Sequence, residues 1–172
     1  MHARGFCFSD SLEEETRFAW DGSHLLQEVQ PDGRYTYIYT DPDSYKPLAQ
    51  VRDWTTEEGE SGQQTHYSTA TKIGFPKEIA DKNYNLVWFA NYTVWSRLKE
   101  ETKVTYSAYH PFRLQNQYYD SETGLHYNFF RYYKPDAGRF VNQEPIGLMG
   151  GENLYWFAPN GQDWLDPLGL DK

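Results

Sequence analysis

Residues 34–40 alternate without interruption, with Tyr35, Tyr37 and Tyr39 on one side and Thr36, Ile38 and Thr40 on the other. Period two in side chains that favour the pleat predicts a strand. Ahead of it, Arg17-Phe18-Ala19-Trp20 and the run 25–29 are set apart by Asp21-Gly22 and Pro31-Asp32-Gly33. Asp-Gly punctuation between short apolar runs predicts a β-meander. A fourth strand is predicted over 46–51, where Pro47 stands at the start and removes no ladder bond. The polar, glycine-bearing stretch 55–64 reads as an exposed loop.

The same texture then recurs. Runs 77–79 and 85–95 flank a turn at 81–84, and the long β-branched and aromatic run 85–95 predicts a central strand. Residues 98–104 fit either a strand or a short helical turn. A third block follows: 117–120, a Ser121-Glu122-Thr123-Gly124 turn, a strand over 125–133, a turn over 134–138, and Arg139-Phe140-Val141. Recurring aromatic hairpins predict a repeat or shell architecture, in which each unit buries its face against its neighbours. After Asn142 glycine and proline become frequent, which predicts loop as far as 170 with one short helix near 153–158.

Composition supports a folded, mainly β chain. Tyr 15, Phe 10 and Trp 6 bring the aromatics to 18% of 172 residues, where disordered acidic chains are poor in them. This outweighs a mean hydropathy of -0.86. The length suits one ordinary domain or a piece of something larger. Sixteen basic against 25 acidic side chains give a formal charge of -9, which argues against a nucleic-acid partner, since that needs a basic stripe. No apolar run approaches the ~20 residues of a membrane helix, and residues 1–10 show no signal-peptide pattern. Cys7 alone makes no internal disulfide, and no Cys/His cluster offers a zinc site. The histidines (His2, His24, His66, His110, His126) have no metal-site spacing and read as satisfied or surface groups. No cofactor or metal is expected. No Gly-x-Ser-x-Gly frame is present, so serine or cysteine nucleophile chemistry has no support. The aromatic stripes fit packing between strands better than sugar stacking.

The chemistry-bearing feature is a duplication. Glu144-Pro145-Ile146-Gly147-Leu148 recurs 22 residues later as Asp166-Pro167-Leu168-Gly169-Leu170. In each frame a proline fixes φ beside the acid and a glycine permits a sharp turn. Two carboxylates in matching stiff turns suit a shared-proton pair, one acting as base toward water while the other, protonated, polarises a carbonyl. The same turns also serve as plain loop devices, so both readings stay open. The acids are too few and wrongly spaced for a calcium loop. An arginine within a few ångströms would hold one carboxylate ionised, and both Arg131 and Arg139 are candidates.

Beyond these frames, Tyr119-Asp120-Ser121-Glu122-Thr123-Gly124-Leu125-His126-Tyr127 and Arg131-Tyr132-Tyr133-Lys134-Pro135-Asp136-Ala137-Gly138-Arg139-Phe140 form a long ordered signature. Asn153-Leu154-Tyr155 and Pro159-Asn160 continue it. The whole resembles the Rhs-repeat-associated core of bacterial Rhs proteins, the polymorphic-toxin relatives of YD-repeat proteins and of insecticidal toxin-complex shells. The resemblance covers 74–170 well and, more loosely, 16–51, where Phe18, Trp20-Asp21-Gly22 and Leu25-Leu26 look like a degenerate YD repeat. It divides the chain into a YD-repeat hairpin segment over 1–73, a core over 74–170, and 171–172 beyond it.

The resemblance implies antiparallel YD-repeat β-hairpins of a spiral shell type, ending in a loop-rich core plug that closes one end of a hollow cocoon around a toxin. It further implies an aspartic self-protease that cuts after the last leucine of the second frame. On this chain the acids fall on Glu144 and Asp166, the supporting arginine on Arg131, and the scissile bond on Leu170-Asp171. Implied partners are other shell segments, a toxin or a secretion-apparatus protein, such as one of a type VI secretion system serving bacterial competition. Self-association through exposed strand edges is a further possibility. The implied location is the cytoplasm of the producing bacterium, with export by a route independent of signal peptides.

Two departures qualify that expectation. The family usually has aspartate where this chain has Glu144. One methylene displaces the carboxyl, and misplacement by about 1 Å can cost on the order of 10²-fold in rate, so slow or silent cleavage is expected. Only Asp171 and Lys172 follow the cut site, so no toxin domain is expected on this stretch. The expected identity is a truncated or displaced core, or the terminal portion of a larger assembly, whose turns either retain weak protease activity or act only as braces.

Overall fold

The computed structural model describes residues 15–42, 44–71, 74–93, 97–105, 108–114, 117–147 and 153–157. Strands β1 (Arg17–Asp21), β2 (His24–Gln30), β3 (Gly33–Tyr39), β4 (Pro47–Thr55), β5 (Ser61–Ala70), β6 (Pro76–Ala80), β7 (Leu86–Tyr92) and β8 (Leu98–Lys103) form one antiparallel sheet in sequence order. A smaller sheet runs β12 (Arg139–Phe140), β11 (Arg131–Lys134), β10 (His126–Asn128), β9 (Tyr118–Tyr119). The mainly β, hairpin-built fold expected from the sequence is what forms. Among the described residues β1 and β8 stand at the edges of the large sheet.

Alternation explains the inner face. Tyr35 and Tyr37 point inward from β3, and the registers Tyr37↔Gln50 and Gln50↔His66 continue that face across β4 and β5. Ile79 and Trp88 extend it through Ile79↔Trp88. Segment 108–114 lies across this face: Tyr109 meets Tyr35, Phe112 meets Tyr37 edge-on, and His110 meets Trp88. The Gln50 amide donates to the Tyr109 carbonyl at 2.9 Å, fixing the crossing point. Trp20 of β1 packs edge-on against Tyr127, which sets the small sheet beside the large one.

Four expectations need correction. Residues 55–64 are not a loop. Only 56–60 turn, closed by Thr56 N–H to the Glu60 carbonyl at 2.7 Å, and β5 begins at Ser61. Its polar sequence is tolerated because β4 pairs with Ser61–Tyr67 and β6 with Tyr67–Ala70, while much of the strand stays wet. Residues 125–133 are not one strand: the chain reverses at Phe129-Phe130, with Phe129 at φ 49°. No helix forms over the described residues 153–157, which make a turn and an isolated bridge from Trp156 to Arg139. The strand expected over 85–95 is the shorter Leu86–Tyr92. The alternatives for 98–104 resolve to a strand, β8. No helix among the described residues is long and apolar enough to cross a membrane.

Candidate functional site

The site grows out of the β10–β11 hairpin. Cross-strand pairs His126↔Tyr133 and Asn128↔Arg131 put those four side chains on one buried face, while Tyr132 and Lys134 face outward. After β12 the chain stays beside β11. Val141 N–H donates to the Tyr132 carbonyl at 2.8 Å. The Asn142 side chain then stands in for the ladder, accepting from Tyr132 N–H at 2.7 Å and donating to the Phe130 carbonyl at 3.1 Å.

That clamp delivers Glu144 to its place. Its N–H donates to the Leu154 carbonyl at 2.9 Å, and its carbonyl accepts from Gly147 N–H at 3.0 Å. The first acid-Pro frame is thus a closed turn, with Gly147 at φ 61° where a residue with Cβ would be strained. The Glu144 side chain points inward and is 5% exposed, and its Oε2 lies 2.6 Å from Nη1 of Arg131, which is 1% exposed. The guanidinium also rests on the Phe140 ring, 3.6 Å from its centroid. Below lies an aromatic cluster of Phe75, Tyr133, Phe140 and Phe157, closed by Leu114. Arg139 is exposed, so Arg131, not Arg139, is the arginine that meets Glu144.

A second buried polar pair adjoins the first. His126 Nδ1 lies 2.8 Å from Gln117 Oε1, which requires the ring to donate there. Burial pushes the His126 imidazole down to about 3, with Arg113 adding to the effect. His110 is likewise held near 3 by burial and then by Arg113, and its Nδ1 accepts from Phe112 N–H at 3.3 Å. Both rings are therefore neutral at ordinary pH. Asp166, Pro167, Gly169, Leu170 and Asp171, which carry the second acid and the scissile bond, lie outside the described residues, as does Cys7. Among the described residues no three His, Cys, Asp or Glu side chains converge on a metal-sized site.

Sequence reasoning did not single out Asn142, Gln117 or Asn128. An asparagine just past a strand is a faint signal for a side chain that replaces ladder bonds, and the others carried none.

No family model matches the chain. Among curated proteins it is 38% identical over 168 residues to double-stranded DNA deaminase toxin A of Burkholderia cenocepacia, covering 91% of this chain and 12% of that protein. It is 32% identical to probable deoxyribonuclease RhsA of Dickeya dadantii, over 95% of this chain and 11% of that protein. The chain therefore spans little more than a tenth of these relatives. Among solved structures, TcdB2-TccC3 shares the fold with a TM-score of 0.64 at 21% identity, over 96% of this chain and 10% of that one.

Proposed function

Since the chain belongs to the Rhs family, we propose that it is a shell-and-core segment of a polymorphic toxin system carrying a weak aspartic self-protease site. Glu144 and Asp166 form the dyad, Arg131 positions Glu144, and the bond cut is Leu170-Asp171. Residues 1–73 supply YD-repeat hairpins and 74–170 the core, joined in one sheet through the β5–β6 pair.

The observation that supports this reading is the buried Arg131–Glu144 pair. Taking both charges out of water is costly, and an apolar pair of similar volume is often no less stable. A buried carboxylate kept in register by a closed turn and a guanidinium suits the role of base. It would accept a proton from water as the water oxygen bonds to the Leu170 carbonyl carbon. Asp166, protonated, would donate to the carbonyl oxygen. Collapse of the tetrahedral species then breaks the C–N bond, with the returning proton going to the Asp171 nitrogen. The glutamate in place of the usual aspartate makes cleavage slow.

A second reading is favoured by the seat of the pair on Phe140 within an aromatic cluster: the turns only brace the core. On that reading the segment works by binding another shell segment, a toxin or a secretion component, and β1, an edge strand among the described residues, is the candidate for pairing. Either way the proposed location is the cytoplasm of the producing bacterium before export.

A reporter domain fused after Lys172 separates the two readings. Slow cleavage after Leu170, abolished by Asp166→Asn and accelerated by Glu144→Asp, supports the protease. No cleavage in the folded parent or in Glu144→Asp supports the brace.

A further inference from the structure

We infer that Glu28 makes the seam between the large sheet and residues 108–114 and 117–119 a pH-operated latch, closed while its carboxyl is neutral and loosened when it ionises. Glu28 is completely buried, and its neighbours come from every element packed on it. In register it faces Phe18 of β1 and Tyr35 of β3. The Tyr37 hydroxyl donates to its Oε2 at 3.2 Å, and the Gln30 amide donates to Oε1. From the crossing segment, Tyr109 and Tyr118 bring their hydroxyls to the same carboxyl and lie 3.2 Å from each other.

The surrounding charges do not neutralise it. No cation is among the described groups acting on Glu28. Arg52, paired with Asp32, lies over the Tyr35 ring, and the Tyr35 hydroxyl donates to Asp32 at 2.8 Å. Burial raises the Glu28 carboxyl to about 7, only partly offset by the hydroxyls and the amide. The same burial holds Tyr37, Tyr109 and Tyr118 well above their ordinary range, and His110 is held near 3, so none of them titrates between pH 5.5 and 8.5.

The seam is what an ionised Glu28 would open. Tyr35–Tyr109, Tyr37–Phe112 and Phe18–Tyr118 are its ring contacts. Tyr118 belongs to β9 itself, so the latch sets how firmly the small sheet is held to the large one. Because the closed-state carboxyl is raised, the stabilisation is complete at low pH and is lost as pH rises through about 7.

Hydrogen exchange followed by mass spectrometry on the full chain tests this, with labelling times scaled for intrinsic pH dependence. A carboxyl near 7 when closed and at its ordinary 4.5 when open makes the opening constant of peptides over 24–39 and 108–119 rise on the order of 30-fold from pH 5.5 to 8.5. Glu28→Gln should abolish that rise. An unchanged constant in the parent, or the same rise in Glu28→Gln, overturns the latch. A ¹³C titration of the Glu28 carboxyl in the parent needs no variant: a midpoint near 7 supports the proposal, and one near 4.5 overturns it.

Discussion

Removing the arginine of the buried pair is the sharpest perturbation of the candidate site. Arg131→Met keeps much of the volume over Phe140 but leaves the Glu144 carboxylate, 5% exposed, without the guanidinium at 2.6 Å. Breaking a buried pair from one side costs about 3–5 kcal/mol, because the remaining charge stays buried without its counter-ion. Total stability of an ordinary domain is only about 5–15 kcal/mol, so the variant should lose a large fraction of it. Its Tm should fall by roughly 6–20 °C at this chain length. The double variant Arg131→Met with Glu144→Gln removes the stranded charge and should recover most of the loss. Urea unfolding of the parent, both single variants and the double variant gives the coupling energy directly. A loss below about 1 kcal/mol in Arg131→Met, a value ordinary for exposed pairs, would refute the buried pair as described.

Two further outcomes follow from the same geometry. His110 and His126 are held near 3 against an ordinary 6.5, so the stability they permit is complete above pH 6.5 and drains away as pH falls toward 3. At pH 5 each should cost about 2 kcal/mol, and the change in stability between pH 7 and 5 in His126→Gln should differ from the parent's by about that amount, as read from urea unfolding at both pH values. Asn142→Ala deletes the two bonds to Tyr132 and Phe130 and should cost about 1–3 kcal/mol; its cleavage rate in the reporter fusion should fall too, since the clamp delivers Glu144.

The meander was legible because alternation is unambiguous where tyrosine and threonine take opposite faces, as in β3, and where Asp-Gly pairs mark the turns. β5 was not, because its ladder bonds, first to β4 and then to β6, hold its backbone and its half-wet side chains need not be apolar. The reversal at Phe129-Phe130 hides in a run with no glycine or asparagine at the turn itself. Once that reversal is known, alternation along β11 sends Arg131 inward, which separates it from the exposed Arg139. Glu28 carried no signal at all: inward positions on β2 fall at Leu25 and Glu28, a spacing of three that breaks period two. The acid-Pro frame was read from residues alone, and its first copy is the closed turn that the proline and glycine imply.

The most direct test of the central claim is to incubate the reporter fusion in H₂¹⁸O and determine the mass of the released N-terminal fragment. Water-driven self-cleavage predicts a fragment ending at Leu170 with one ¹⁸O atom in its new carboxylate, accumulating slowly in the parent and absent from Asp166→Asn. An intact fusion, a fragment ending elsewhere, or an end at Leu170 without the label would contradict it.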